Sequence, residues 1–258
     1  MAQAIAELPH SVTGSGPALV LLHGAGGSIQ ANYGPIISRL SQRFTVIAPD
    51  LPGTGRTPVD IAPLDPADLA ARVVATAEAA GQETFRICGY SMGAAIAVAA
   101  AARNPERVTA LVLTAGFIRL DDGSRARTAR WRTLLDGPRD ELARHVLCMM
   151  ASENYLARIS PAQFAGLAEL IALSVPPGAQ SHVDLTLAVD LADLLPRITA
   201  PTLVIGPTDD RLLAPRLPRE LAAGITGAKF ADIAGGHAVS LESADRWATL
   251  IIDFLTSH

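Results

Sequence analysis

The segment Gly-Tyr-Ser-Met-Gly at 89–93 has the residue types and spacing of a turn that carries a nucleophilic serine, here Ser91. It follows an apolar run at 84–88 that is typical of a buried strand, and an alanine-rich helical pattern comes directly after it. A tight turn from strand to helix exposes the serine hydroxyl, and the N-terminus of the helix adds backbone N–H groups close to it. The pattern therefore predicts a serine nucleophile, and the alternative is a chance match on an ordinary tight turn.

A serine nucleophile needs a general base, and His237 is the histidine whose position fits this role best. It lies in the segment Ala-Gly-Gly-His-Ala-Val-Ser-Leu-Glu, after the last predicted strand and before the last predicted helix. This position places it in a loop at the carboxyl edge of the sheet, where Ser91 is also expected. His145 and His182 lie in a segment without strands and are predicted to be ordinary, and His23 is predicted to organise its own loop.

The base needs an orienting carboxylate, and two acids, Asp209 and Asp210, follow the predicted strand at 202–205. The spacing G-x-x-D, counted from Gly206, selects Asp209. The register of the strand, counted from Pro201, selects Asp210. A strand's length fixes where the chain leaves the sheet, whereas a glycine can shift by one position in a turn, so we favour Asp210. The other aspartate is predicted to cap the turn.

The segment His-Gly-Ala-Gly-Gly at 23–27 follows another predicted strand, and its small residues let the backbone approach a bound carbonyl group. In hydrolases with a G-x-S-x-G turn, one oxyanion donor is the N–H after the nucleophile, and the other comes from an early loop of this kind. This predicts the backbone N–H groups of Met92 and Ala25 as the donors. The alternative, a phosphate-binding loop, lacks support because neither G-x-G-x-x-G nor the Gly-Lys pair of a Walker A motif occurs.

Short apolar runs alternate with helical patterns along the chain of 258 residues. Strands are predicted at 18–22, 44–48, 84–88, 108–113, 202–205 and 228–233, and helices at 36–41, 66–80, 91–103, 217–223 and 241–255. Several strands are apolar on consecutive positions, which is typical of strands that are covered on both faces. The alternation predicts an α/β fold in which helices cover both faces of a mostly parallel sheet.

The segment at 117–195 interrupts this alternation, because it shows helical patterns and no convincing strand. Structureless loops of that length are rare, so we favour a helical cap inserted over one edge of the sheet over two crossover helices joined by a long loop. The predicted organisation is a core formed by 1–116 and 196–258 and a cap at 117–195. Six residues of the cap and of the surroundings of the serine turn are expected to contact the substrate: Tyr90, Phe117, Trp131, Met149, Met150 and Val239. The alternative is that they are ordinary core residues, because Met and aromatic side chains are also common in cores.

Several segments, in this order, resemble the α/β-hydrolase fold family almost from end to end: VLLHGAGGS, FTVIAPDLPGTGRT, GYSMG, RNPERV, APTLVIGPTDDR and GGHAVSLE. The resemblance implies Ser91 as the nucleophile and His237 as the base, in the family's chain order of serine, acid and histidine. The chain departs from the family in its short N-terminus, which predicts an incomplete first strand pair, and in the blurred acid motif G-P-T-D-D. Haloalkane dehalogenases and epoxide hydrolases of the family use Asp at the turn, so a serine there favours acyl chemistry.

Composition limits the partners that we expect. Apolar residues make up 49% of the chain and charged residues 18%, and the net charge is −4 with scattered basic residues, which argues against a nucleic-acid surface. Two cysteines, Cys88 and Cys148, are too few for a disulfide framework. The N-terminus lacks a signal-peptide pattern, and the apolar run at 94–102 is shorter than the about 20 residues of a membrane span. We therefore expect a cytoplasmic protein that needs no metal or organic cofactor and has no nucleic-acid or membrane partner; a homodimer stays open.

These expectations combine into a serine-dependent acyl hydrolase that acts on an apolar carboxylic ester, lactone or thioester through a Ser-His-Asp triad. Two other classes stay open. One is a C–C bond hydrolase, or a tailoring enzyme that uses the same pocket without hydrolysis. The other is a ligand receptor without catalytic activity on the same fold.

Overall fold

The computed structural model describes residues 5–258, and in this range seven strands form a single sheet. The strands are β1 (His10–Thr13), β2 (Ala18–Leu22), β3 (Thr45–Pro49), β4 (Phe85–Tyr90), β5 (Val108–Thr114), β6 (Thr202–Pro207) and β7 (Lys229–Ile233). Their order across the sheet is β1-β3-β2-β4-β5-β6-β7. Only β1 runs antiparallel to its neighbour, β3, and all other neighbouring pairs are parallel.

Helices connect the parallel strands. They are α1 (Ile29–Leu40), α2 (Pro66–Ala79), α3 (Met92–Arg103), α4 (Asp122–Leu134), α5 (Arg139–Met150), α6 (Glu153–Leu156), α7 (Pro161–Ser174), α8 (Ala179–Ala188), α9 (Arg216–Gly224), α10 (Val239–Glu242) and α11 (Ala244–Thr256). A short 3-10 helix, Leu195–Arg197, precedes β6. The fold is thus an α/β fold with a mostly parallel sheet, as the alternation of patterns in the sequence predicts.

Two buried clusters, one on each face of the sheet, explain why the strands are apolar at consecutive positions. In β2, Val20 and Leu22 belong to the cluster that contains the apolar faces of α2, α3 and α9. Leu19 and Leu21 point the other way and join the cluster of α1 and α11. Because side chains alternate between the faces of a strand, a strand that is covered on both faces needs apolar residues throughout.

The carboxyl ends of the parallel strands meet at one edge of the sheet, and this edge collects the residues that the sequence singles out. The loop at 23–27 follows β2, Ser91 follows β4, Asp210 comes shortly after β6, and His237 lies between β7 and α10. Ligands of open α/β sheets bind outside the carboxyl ends of the strands. The fold therefore brings together groups that are far apart in the sequence.

Five helices, α4 to α8, lie between β5 and β6, and no strand occurs between 115 and 201. We call the segment 117–195 the cap segment. Helices α5 and α7 pack on each other through a small cluster of their own, which includes Ala143, Leu147 and Ala168. The exact division of the chain into a core and a cap at 117 and 195 stays a prediction.

The structure differs from the predicted elements in three places. Strand β1 was not predicted, because an exposed edge strand of sequence His-Ser-Val-Thr has no apolar pattern. Helix α1 begins at Ile29 rather than at 36, since the Ser28 hydroxyl accepts the Ala31 N–H and starts the helix upstream of Pro35. The last predicted helix is divided into α10 and α11 at Ser243, whose backbone has a non-helical φ of −143°.

Candidate active site

The turn between β4 and α3 holds Ser91 in a strained backbone conformation, with φ at 54° and ψ at −117°. Non-glycine residues rarely have a positive φ, and such strain clusters at functional sites. The Ser91 N–H donates to the Thr114 oxygen at 2.8 Å, which ties the turn to the end of the neighbouring strand. Gly93 must lack a side chain, because a Cβ there would collide with the backbone oxygen of Leu22. The sequence G-x-S-x-G is thus what this sharp turn requires.

A continuous chain of hydrogen bonds joins Ser91, His237 and Asp210. The Ser91 Oγ lies 3.0 Å from Nε2 of His237, and Nδ1 of His237 lies 2.7 Å from Oδ2 of Asp210. All three residues are buried, with exposures of 5%, 1% and 7%. Since a carboxylate only accepts, Nδ1 carries the ring proton, and Nε2 is left to accept the serine proton.

Asp210, and not Asp209, contacts the histidine. The second oxygen of Asp210, Oδ1, accepts the N–H groups of Leu212 at 2.9 Å and Leu213 at 2.8 Å, so the carboxylate is fixed by the turn that follows β6. Asp209 is exposed and accepts the hydroxyl of Thr208 at 2.8 Å. The register of the strand therefore gives the correct contact, and the G-x-x-D spacing does not.

Tyr90 holds the backbone of His237. Its hydroxyl donates to the carbonyl oxygen of His237 at 2.6 Å, and the two rings lie 5.4 Å apart between centroids. Burial, with a further contribution from the charge of Asp210, raises the pKa of Tyr90 above its usual value. The phenol therefore keeps its proton and remains a donor to the histidine backbone.

The residues on both sides of the histidine are linked to the cap segment, Ala238 directly and Gly236 through Glu242. The Ala238 N–H donates to the Met150 oxygen at 2.9 Å. Glu242 accepts the Gly236 N–H at 3.0 Å, and the same carboxylate accepts the N–H of Ser152 at 2.8 Å. Sequence analysis missed Glu242, although this residue ends the segment GGHAVSLE that carries the histidine. The signal available in the sequence was the position of Glu242 five residues after His237, in the same short segment.

Two backbone N–H groups near Ser91, those of Ala25 and Met92, have no acceptor within residues 5–258. The other N–H groups of the loop at 24–27 are paired, with Asn32 Oδ1 for Gly24 (2.9 Å), His182 Nδ1 for Gly26 (3.3 Å) and the Gly24 oxygen for Gly27 (3.3 Å). The loop packs directly on the serine, since a Cβ on Gly24 would lie 3.2 Å from the Ser91 Cβ. Both N–H groups are thus available to donate to a bound group, and their role as oxyanion donors stays a prediction.

A cavity of about 650 Å³ opens between the cap segment and the carboxyl edge of the sheet, with Ser91 and His237 in its wall. Its size is within the range of small-molecule sites. Three of the predicted contact residues, Tyr90, Trp131 and Met150, line it together with Ala25. The rest of its apolar wall comes mainly from α5 and α7: Val146, Leu147, Leu167, Leu170 and Ile171.

The other three predicted contact residues, Phe117, Met149 and Val239, do not line this cavity, contrary to the sequence prediction. Phe117 and Met149 are buried in the cluster of α2 and α3, and Val239 is buried in the cluster of α1 and α11. On α5, successive residues point in directions about 100° apart, so Met149 faces the core while Met150 faces the cavity. The sequence places both methionines near the site but does not indicate which of the two side chains points into the cavity.

Neither a metal cluster nor a membrane span is present in the part of the chain that the structure describes. Among residues 5–258, no group of three or more His, Cys, Asp or Glu side chains could hold a metal ion. Within the same range, each helix is too short or too polar to cross a bilayer.

Known proteins resemble this chain over nearly its whole length. Residues 17–244 match the family model described as alpha/beta hydrolase fold. The chain is 32% identical to pyrrolizixenacetamide deacetylase of Xenorhabdus hominickii (98% of this chain and 96% of that protein) and 30% identical to the putative carbamate hydrolase RutD of Azorhizobium caulinodans (96% and 95%). Among solved structures, the enol-lactonase of Burkholderia xenovorans LB400 superposes with a TM-score of 0.83 at 27% identity, over 96% of both chains.

Proposed function

This chain belongs to the α/β hydrolase family, and on that premise we propose that it is a serine-dependent acyl hydrolase acting on an apolar carboxylic ester, lactone or thioester. The observation that carries the proposal is the buried hydrogen-bond chain from Asp210 through His237 to Ser91. The two free N–H groups of Ala25 and Met92 support it, because acyl transfer develops a negative charge on the carbonyl oxygen, which such donors stabilise.

In the proposed reaction, the Ser91 oxygen attacks the acyl carbon while Nε2 of His237 takes the serine proton. The carbonyl oxygen becomes an oxyanion that accepts from the N–H groups of Ala25 and Met92. When the tetrahedral intermediate collapses, His237 gives its proton to the leaving group and the acyl group stays on the serine. Water then attacks the acyl-enzyme with His237 as the base, and the carboxylic acid and the free serine are released.

The cavity supports an apolar substrate. The side chains that face Ser91 across it are mainly aliphatic or aromatic, including Trp131, Leu147 and Met150, and burial of apolar surface is the main source of affinity that they offer. Among residues 5–258, the side chains that line the cavity include no arginine or lysine that could bind an anionic group of the substrate. We therefore expect the carbonyl group to be the main polar feature of the substrate close to the serine.

A second candidate is the removal of a small acyl group from an amide. The relative that is 32% identical over 98% of this chain is named a deacetylase, and another full-length relative is named a carbamate hydrolase. The same residues can perform this reaction, since His237 would protonate a leaving nitrogen instead of an oxygen or sulfur. Matched esters and amides with the same acyl group distinguish the two candidates by their kcat/KM values.

The test of the proposed function begins with a screen of p-nitrophenyl esters, aryl lactones, thioesters and acyl anilides. On the best substrate, Ser91→Ala should lower turnover by several orders of magnitude, because the members of such a triad act as a unit. An alkyl fluorophosphonate should label the wild-type protein at Ser91 and leave the variant unlabelled. Ser38→Ala, at an exposed position of α1, is the matched control and should behave like the wild type.

If Ser91→Ala keeps more than about a tenth of the turnover, acyl chemistry at this serine is wrong. If instead the wild-type protein performs one slow turnover and retains its product, the receptor alternative gains support. A C–C bond hydrolase would be indicated by turnover of vinylogous diketones together with failure on every ester, lactone, thioester and anilide in the screen.

A further inference from the structure

Two buried histidines, whose ring centroids lie 5.8 Å apart, bind the backbone of the loop at 24–27, and only one of them belongs to the core. His23 Nδ1 lies 2.9 Å from the Gly24 oxygen, and since a carbonyl oxygen only accepts, Nδ1 carries the proton there. His182, on α8 of the cap segment, accepts the Gly26 N–H at its own Nδ1 at 3.3 Å. Both side chains are fully buried.

These two hydrogen bonds fix the two peptide groups that flank Ala25. The Gly24 oxygen and the Ala25 N–H belong to one planar peptide unit and point in opposite directions. The Gly26 N–H belongs to the next unit. When both planes are held, the φ and ψ angles of Ala25 are set, and its N–H has a single direction. Of the N–H groups at 24–27, the Ala25 N–H is the one without an acceptor among the residues that the structure describes.

The protonation of His182 suits this contact. Its Nε2 lies 2.8 Å from the carbonyl oxygen of Pro52, so Nε2 carries the proton. Burial lowers the pKa of His182, and the ring is therefore neutral at neutral pH. In a neutral ring with the proton on Nε2, Nδ1 has a free lone pair and can accept the Gly26 N–H.

Helix α8 is itself fixed on the core at this point. The Gly178 N–H, just before the helix, donates to the Gly53 oxygen at 3.0 Å, and the His182 N–H donates to the Gly178 oxygen at 3.0 Å. A second residue of the cap segment, Trp131, packs against Gly26. A Cβ on Gly26 would lie only 2.7 Å from Cζ2 of Trp131, so no side chain fits there. The position of Gly26 thus depends on the cap segment.

On the premise of the proposed function, we propose that His182 is a positioning residue for the oxyanion: its Nδ1 holds the Ala25–Gly26 peptide so that the Ala25 N–H faces the reacting carbonyl. His182 does not line the cavity, so we expect it not to contact the substrate. Its effect therefore falls on the transition state, where the oxyanion exists, and not on substrate binding. The cap segment thereby takes part in catalysis as well as in shaping the pocket.

Two substitutions separate the two hydrogen bonds of the ring. In His182→Asn, the amide oxygen takes the place of Nδ1 and can accept the Gly26 N–H, whereas the bond to Pro52 is lost. In His182→Gln, the amide nitrogen takes the place of Nε2 and can donate to Pro52, whereas no acceptor remains at Nδ1. We expect kcat to stay near the wild-type value for the Asn variant and to fall about tenfold for the Gln variant, with little change in KM. This loss is smaller than the about 10²–10³-fold that follows removal of an oxyanion donor.

The control is Val183→Ala. Val183 follows His182 on α8 and is buried in the core, so its truncation weakens the packing of the helix and leaves the hydrogen bond from Gly26 to His182 in place. The proposal is overturned if, at matched losses of thermal stability, Val183→Ala lowers kcat as much as His182→Gln does, or if the Asn and Gln variants have equal kcat values. NMR of ¹⁵N-labelled histidine in the resting protein gives a readout without substrate: a His182 proton on Nδ1 would also overturn it. Ser91→Ala in the same series distinguishes failure of the proposed role of His182 from failure of the proposed function, because activity in that variant refutes the proposed function itself.

Discussion

Asp210 accepts the Nδ1 proton of His237 at 2.7 Å, while Asp209, the adjacent residue, points away from the ring toward Thr208. The difference follows from the strand, since β6 ends at Pro207 and the next turn places alternate side chains on opposite sides. Two neighbouring carboxylates thus make different contacts, and substituting each one separately tests which of them is needed for activity.

Asp210→Asn should lower kcat by on the order of 10⁴, as in serine proteases, because an amide in this position can favour the wrong tautomer of His237. Asp209→Asn should keep turnover close to the wild-type value, since its carboxylate contacts only the exposed turn. Steady-state kinetics of both variants on one ester is the measurement. A large loss in Asp209→Asn, with Asp210→Asn active, would assign the acid to the G-x-x-D spacing and refute this assignment.

Tyr90→Phe removes the hydroxyl that holds the His237 carbonyl group but keeps the ring in the cavity wall. We expect kcat to fall several-fold and the free energy of unfolding to fall by about 1 kcal/mol, the usual loss for one buried hydrogen bond. Tyr33→Phe is the control, because its buried hydroxyl donates to the backbone at Cys88, at 3.0 Å, and has no contact with the histidine. It should lose a similar amount of stability and keep its kcat. Equal losses of kcat in both variants would mean that Tyr90 acts only through the general stability of the fold.

The sheet and the sharp turn at Ser91 are predicted well from the sequence because both leave local patterns, whereas the catalytic roles of Ser91, His237 and Asp210 stay predictions. The parallel strands are apolar on consecutive positions, and the sharp turn at Ser91 requires small neighbours that can be recognised in the sequence. The order of serine, acid and histidine then restricts the partners. Strand β1 was not predicted because its four residues lie at the exposed edge of the sheet, where no apolar pattern is required.

Contacts between distant segments are less predictable. His182 binds the backbone of the loop at 24–27, and Glu242 joins the loop of His237 to Ser152. In each case the two partners lie far apart in the sequence. The direction of a side chain on a cap helix is equally hidden. Met149 and Met150 are the same residue type at adjacent positions, and only the packing of α5 decides which one faces the cavity.

This pair gives a test of the cavity. Met150→Ala enlarges the space near the serine and should shift the relative kcat/KM toward longer acyl groups, by about tenfold or more across the series, since one methylene in an apolar pocket changes specificity by that order. Met149→Ala should leave the preference unchanged and lower the free energy of unfolding by roughly 2–5 kcal/mol, because it opens a cavity in the core. An acyl-length series of p-nitrophenyl esters, with urea unfolding of both variants, measures the two effects. A shift of preference in Met149→Ala alone would show that the cavity has been assigned to the wrong side of α5.

The buried histidines predict how stability depends on pH. Burial, with a contribution from the neighbouring His182, lowers the pKa of His23 from the usual 6.5 to about 3, and burial also lowers the pKa of His182 below 6.5. Below pH 6.5 the unfolded chain therefore binds protons at these two positions that the folded chain does not bind.

Stability should consequently fall as the pH is lowered from about 6.5 toward the folded pKa values, by up to about 1.4 kcal/mol per pH unit for each histidine, and this contribution should be fully present above that window. Urea unfolding between pH 5 and 7.5 measures the slope in a range where most carboxylates stay ionised in both states. In His182→Asn the slope should become shallower, since one of the two groups no longer titrates. A slope equal to that of the wild type would show that His182 is protonated as easily in the folded protein as in the unfolded chain, and that its Nδ1 is not reserved for the Gly26 N–H.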